Sequence, residues 1–273
     1  MKRTCNKVLN LTIVSIITLN LLMLLACSDK SEGNKHNENE LEHKKSTLDN
    51  YTDLEIINKV LQNLELEDAY YVETSGETNA KCIVNYTQST NTSLYYCDNK
   101  FYNDIASNSS LVNHSHKLLL NGNSVSYYDS AKKDDGLIKE SADEYLNTYG
   151  ILPSHQGIFH YIVKEDYIID SSRSFTEKGF KVTYHFKPDE STSEIRKQMM
   201  IFGGLVEEPK YEKIELIIEI DENCKLIAFT NKESYKIVKK IPIFGKTTMN
   251  CTQTLYSKVH YSDYSQPDLS TFK

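Results

Sequence analysis

The cysteines, a few histidines and one methionine pair are the side chains of this 273-residue chain whose types and spacing could do chemistry. Cys82, Cys97, Cys224 and Cys251 form an even set in the body of the chain, and in an exported domain an even set favours disulfides. Cys82 and Cys97 flank an expected hairpin with its turn at Ser89-Thr90. Directly opposed strand residues lie about 4.5–5.5 Å apart at Cα, within disulfide reach. Cys224 and Cys251 join less simply. With a turn near Pro242 to Gly245, Cys251 faces Tyr235 or Lys236, so Cys224 must reach it across a different strand. Both bridges are expected. A zinc site has no support, because neither a C-x-x-C pair nor a Cys/His cluster exists.

The histidines offer less. His114-Ser115-His116 would set two imidazoles on one face of a strand, a metal-binding geometry, but its Ser/Asn-rich surroundings read as a solvated loop. Asp134-Asp135 and Glu140 to Glu144 lack the spacing of a calcium loop and read as a charged turn and a helix start. His155 and His160 flank Gly157-Ile158-Phe159 without a nucleophile to serve. The chain has no Gly-rich phosphate loop, no G-x-S-x-G and no H-E-x-x-H. No catalysis, no metal and no cofactor is expected. Binding is better supported. The 19 tyrosines each offer an apolar body with a polar tip, and Met199-Met200-Ile201-Phe202 before Gly203-Gly204 suits an adaptable lid.

Positioning these residues requires a scaffold, which the hydrophobic periodicity supplies. A helix is predicted from a cap at Thr52 or Asp53 through Leu54, Ile57, Val60, Leu61 and Leu64. Beyond it the pattern changes to period two: Cys82, Val84 and Tyr86, then Leu94 and Tyr96. Leu118 to Leu120 leads through Asn121-Gly122, a two-residue hairpin signal, to Val125 and Tyr127. Capping boxes at Ser141/Glu144 and Ser191/Glu194 open two further helices, stopped by Gly150 and by Gly203-Gly204. Between them Phe180, Val182, Tyr184 and Phe186 share a strand face. In the last third Ile214, Leu216, Ile218 and Ile220 share a face, Asp221 to Asn223 turns, 226–239 returns, and 247–261 closes. The fold class is α+β: a mostly antiparallel curved sheet with an N-terminal helix and two inserted helices covering one face.

The N-terminus carries the sharpest motif. Lys2, Arg3 and Lys7 precede an apolar run that ends in Leu24-Leu25-Ala26-Cys27. This run resembles the lipobox of bacterial lipoproteins, which implies diacylglycerol on the Cys27 sulfur, cleavage after Ala26, and an extracytoplasmic body anchored to the bacterial cell membrane. Residues 1–26 are then the signal peptide. Residues 27–50, almost free of apolar side chains, form a disordered tether, 51–268 a single half-barrel domain, and 269–273 a tail. With lipobox, tether, amphipathic helix, long meandering strands and a Tyr-rich end from Tyr261 to Pro267, the chain resembles the LolA-like and LppX-like lipoproteins. That resemblance implies an incomplete barrel holding a lipid or other hydrophobic ligand. Tyr184, Phe186, Leu216 and Ile218 would lie on its inner wall, with Met199, Met200 and Phe202 in its lid. A cell-surface protein-interaction module without a small ligand is the alternative.

Composition bounds the rest. A hydrophobic content of 39% supports a packed core, while 10 Gly and 5 Pro exclude a fibrous chain. With 31 Lys+Arg against 38 Asp+Glu and no basic block, a nucleic-acid partner has little footing. Loss of Lys2, Arg3 and Lys7 leaves 28 basic against 38 acidic side chains, so the body should stand off an anionic membrane surface. A monomer is expected.

Overall fold

The chain divides into two units, Met1–Glu38 and Asn39–Lys273. The computed structural model describes residues 48, 50–82, 85–109, 113–132, 136–177, 179–241 and 244–272, all in the second unit. Cys27, the leader and most of the expected tether lie outside the described residues.

Helix α1, Asp53–Glu65, starts where the sequence places it. Thr52 Oγ1 accepts from the Glu55 amide at 3.2 Å and the Glu55 carboxylate accepts from the Thr52 amide at 2.7 Å, a reciprocal capping box. Its buried face is Ile56, Ile57, Val60, Leu61 and Leu64. The domain is wider than the sequence suggests at both ends. Leu48 is only 3% exposed and Phe272 6%, so Leu48, inside the expected tether, and Phe272, inside the expected tail, both pack against the body. Arg173 donates to the carbonyls of Leu48 at 2.9 Å and Tyr51 at 2.8 Å and to the Asp53 carboxylate, fastening this entry segment to the sheet.

Eleven strands form one open antiparallel sheet. Six make the first wing: β1 (Ala69–Lys81), β2 (Tyr86–Cys97), β3 (Lys100–Ser109), β4 (Asn113–Asn121), β5 (Ser124–Asp129) and β6 (Ile138–Ser141). Five make the second: β7 (Ile168–Thr176), β8 (Gly179–Phe186), β9 (Leu205–Ile220), β10 (Leu226–Ile241) and β11 (Gly245–His260). Each wing is a meander, and β1 pairs with β11 at the seam, giving the order β6-β5-β4-β3-β2-β1-β11-β10-β9-β8-β7. The chain leaves β6 at one edge and enters β7 at the other. Residues 142–167 must therefore travel from edge to edge, and they carry α2 (Ala142–Tyr149) and a 3-10 turn at Gln156–Phe159. A second insertion, between β8 and β9, holds the short α3 (Pro188–Ser191) and α4 (Ser193–Gly203).

Several local expectations hold. The Ser141/Glu144 box forms and Gly150 closes α2 at φ 83°, Gly122 turns β4 into β5 at φ 58°, and Cys251 stands opposite Tyr235. Others are corrected. Ser89 and Thr90 lie in mid-strand, paired with Glu77 and Gly76, because the β1–β2 turn falls between Lys81 and Tyr86. His114 to His116 belong to β4 rather than a loop; ladder bonds to β3 offset the weak strand propensity of Asn and Ser. At α4 the cap is Thr192, without a side-chain capping bond, so Ser191 and Glu194 do not form the expected box.

Candidate functional site

Side chains from seven adjoining strands, β4-β3-β2-β1-β11-β10-β9, line one cavity of about 270 Å³. In a flat sheet the outer two would be about 29 Å apart at the usual strand spacing. They share a cavity because the sheet curls, helped by the register shifts between β9 and β10. The cover comes from the insertions: His160 after the 3-10 turn, and Ile195, Gln198 and Met199 of α4. An adjoining lobe of about 80 Å³ shares Thr74, Thr92, Ile105, His160 and Gln198. Together they reach the lower end of the ~300–1,000 Å³ typical of small-molecule sites.

The wall is mixed. Ile105, Ile237, Leu205 and Leu255 give it apolar surface, while Thr74, Thr78, Thr90 and Thr92 line the first wing. At its centre β10 places Asn231, Glu233 and Tyr235 at alternate positions facing inward. Glu233 is 6% exposed and Asn231 2%. Tyr161 donates to Glu233 Oε1 at 2.5 Å, and Asn231 Nδ2 donates weakly to the Phe159 carbonyl at 3.4 Å. Glu233 Oε2 and Asn231 Oδ1 have no hydrogen-bond partner. Burial pushes the Glu233 carboxyl up to about 7, the hydrogen bond from Tyr161 opposing it only in part. The Tyr211 hydroxyl itself donates to Met199 Sδ at 3.1 Å, and the Tyr211 and Tyr235 rings lie 5.0 Å apart.

The residues expected to hold a ligand divide. Met199 lines the cavity. Met200 is half-buried on the same helix and is not among the lining residues, and the Phe202 side chain lies outside the described residues. Tyr184, Phe186, Leu216 and Ile218 do not line the cavity. They are buried in the core with the apolar face of α1, and Tyr184 donates to the Asp53 carbonyl at 2.9 Å. Helix α1 occupies the space an apolar ligand would need there. Sequence reasoning misses Asn231 and Glu233, although two polar residues inside the alternating run Phe229, Tyr235, Ile237 are the signal that marks them.

The histidines stiffen the cover. His114 Nε2 lies 3.0 Å from Asp129 Oδ1, and Tyr149 donates to Asp129 Oδ2 at 3.0 Å. Burial alone would raise the Asp129 carboxyl; the Ala131 amide, His114 and Tyr149 outweigh it and hold it below the ordinary range. His116 Nε2 lies 2.8 Å from the Tyr145 hydroxyl, and burial takes its pKa down to about 4, so it is neutral at pH 7. His155 packs edge-on against Tyr96 and Phe101, its Nδ1 3.0 Å from the Tyr70 hydroxyl.

The cysteines depart from expectation. Among the described residues there is no disulfide, and Cys82, Cys97, Cys224 and Cys251 are thiols. Cys97 stands opposite Ala69, at one end of the β1–β2 ladder, and Cys82 follows Lys81 at the other; the misplaced turn is the reason. Cys224 sits in the β9–β10 turn, and its carbonyl accepts from Asn63 of α1 at 3.1 Å. Burial raises Cys224, and burial with the nearby Cys82 raises Cys251 to about 12. Ellman's reagent at pH 8 is therefore expected to titrate four thiols of the 39–273 unit in denaturant. In the native state Cys251 should react at least about tenfold more slowly than in denaturant, because the thiolate is the nucleophile. Fewer than four thiols in denaturant would show that bridges form.

No protein-family model matches the chain, and no curated protein matches it. Among solved structures it is similar to a LolA superfamily protein from Nitrosomonas europaea, at 10% identity over 82% of this chain and 98% of that one, with a TM-score of 0.30. It is also similar to an S-type phycobiliprotein lyase from Guillardia theta, at 8% identity over 77% of this chain and 94% of that one, with a TM-score of 0.23. What distinguishes the chain is its own geometry: an open eleven-stranded antiparallel meander curled around a cavity with a buried acid at its centre.

Proposed function

We propose that this is a lipid-anchored, extracytoplasmic binding protein, not an enzyme, that holds an amphiphile in the curl of its sheet. The observation that carries this reading is the convergence of seven strands on one covered cavity, with apolar wall and central polar groups. The anchor rests on Leu24-Leu25-Ala26-Cys27 and the polar stretch after it, which would hold the domain away from the membrane. The carrier reading also suits the lid. Met199 is flexible and polarizable, and α4 ends at Gly204 in the left-handed region, φ 56°, which allows a sharp exit into β9.

Native mass spectrometry of the chain from Ser28 onward, purified from a bacterial periplasm and followed by organic extraction, tests it. A bound mass in the lipid range is expected, lost on extraction. A ligand-free mass, together with failure to bind any alkyl probe, would sink the reading. One observation favours the alternative of a surface interaction module: edge strand β7 exposes Ile169 and Phe175, and open edges invite strand addition. Cross-links from β7 to a partner in a ligand-free protein would favour that alternative.

A further inference from the structure

The geometry points to a specific headgroup: the cavity recognises a primary ammonium carried on an apolar chain, seated against Glu233 and Asn231. This rests on the carrier reading and specifies its ligand. Glu233 Oε2 and Asn231 Oδ1 lie two residues apart on one face of β10, are almost fully buried, and lack partners. Buried acceptors left unpaired are costly, and a donor brought in by a ligand would relieve that cost. Asn231 Oδ1 and, once ionised, Glu233 Oε2 are acceptors, and a primary ammonium brings three N–H donors and no acceptor.

Charge points the same way. Among the described residues no lysine, arginine or histidine forms an ion pair with Glu233; its polar neighbours include Tyr161, Tyr211, Tyr235 and its cross-strand partner Gln253, while His160 and Lys239, six residues further along β10, line the same cavity without pairing to it. A carboxyl buried without a cation is expensive to ionise, and a ligand cation would supply what the protein lacks. The aromatic rings add to this. Tyr211 and Tyr235 line the cavity beside Glu233 with ring centroids 5.0 Å apart, and ring faces attract ammonium groups in desolvated sites. The apolar chain has its own place along Ile105, Ile195, Ile237, Leu205 and Leu255. A carboxylate headgroup seated at Glu233 would meet a like charge, the cavity's lysine, Lys239, lying six residues away along β10, and an alkanol would leave the missing cation unsupplied.

The test uses residues 39–273, the compact unit that contains the whole described core, with cooperative unfolding checked first. Decylammonium, decanol and decanoate are compared by isothermal titration calorimetry at pH 8. Decylammonium is expected to bind at least about tenfold more tightly than either other probe, a difference of about 1.4 kcal/mol. E233Q, which preserves shape, is expected to erase that preference while keeping decanol affinity. N231L is expected to weaken decylammonium a few-fold, giving a second variant if the first misfolds. Equal affinity for all three probes, or a preference that survives in E233Q, overturns ammonium recognition and leaves the carrier reading standing. No binding by any probe overturns both. Short-chain phosphatidylethanolamine against phosphatidylcholine identifies the source: preference for the former indicates a lipid headgroup, and its absence beside tight decylammonium binding indicates a free alkylamine.

Discussion

Replacing Glu233 with glutamine is expected to stabilise the ligand-free domain by about 3 kcal/mol at pH 8 and to change it little near pH 4. Burial raises this carboxyl from 4.5 to about 7 in the folded protein, and each unit is worth about 1.4 kcal/mol. Between those values the folded state keeps a proton that the unfolded chain has released. The stability contributed by the protonated form is therefore fully present below about pH 4.5 and is lost as pH rises through about 7. Above that pH the folded protein must hold a buried carboxylate with no cation beside it, and the neutral amide of E233Q removes that cost. Urea unfolding of both proteins across pH 4–8 checks the result. A stability difference independent of pH would show that Glu233 is not the titrating group. The same measurement bears on the ligand, since a protein that tolerates an unfavourable charge in a cavity retains it for something other than its own stability.

Gly76→Ala should cost about 3–5 kcal/mol, in the range reserved for steric conflict in the core. Gly76 lies in the middle of β1, opposite Leu255 of β11, at the seam where the two wings join. A Cβ built there would sit 2.0 Å from the Thr254 carbonyl oxygen and 2.9 Å from Leu255 Cδ2. The first of these contacts is with backbone, so the strands themselves must separate. Leu255 lines the cavity, and probe affinity should fall together with stability. Gly122→Ala is the control. That residue has φ +58° but nothing within 4 Å of its Cβ position, so only the left-handed backbone penalty of about 1–2 kcal/mol applies. Chemical denaturation of the two variants separates crowding from dihedral strain. Equal losses would mean that the seam is not a point of steric crowding.

Local codes are legible where a few neighbouring residues settle the outcome. Thr52 with Glu55 and Ser141 with Glu144 cap their helices by bonds that span three residues. Asn121-Gly122 turns a hairpin because Gly122 can take positive φ, and the alternation in 180–186 and 214–220 marks buried strand faces. The failures share a cause. Polar residues at Ser89-Thr90 resemble a loop and suggest the β1–β2 turn, yet pairing with β1 and β3 on both sides makes them strand. That slip alone puts Cys82 and Cys97 at opposite ends of the hairpin.

The α+β class, the run of antiparallel strands and the helices that cover them are legible along the chain, since each depends on spacing within a short window. Which inward faces enclose space depends on the packing of distant elements. Tyr184, Phe186, Leu216 and Ile218 carry the right pattern for a ligand wall, but α1 packs into the space they face. Asn231 and Glu233 become a site because β4 and β9, with five strands between them, curl toward each other over β10. Burial, and with it the missing partners and the raised carboxyl, is a property of that curvature, which is summed over many strand pairs and written in no single stretch of the chain.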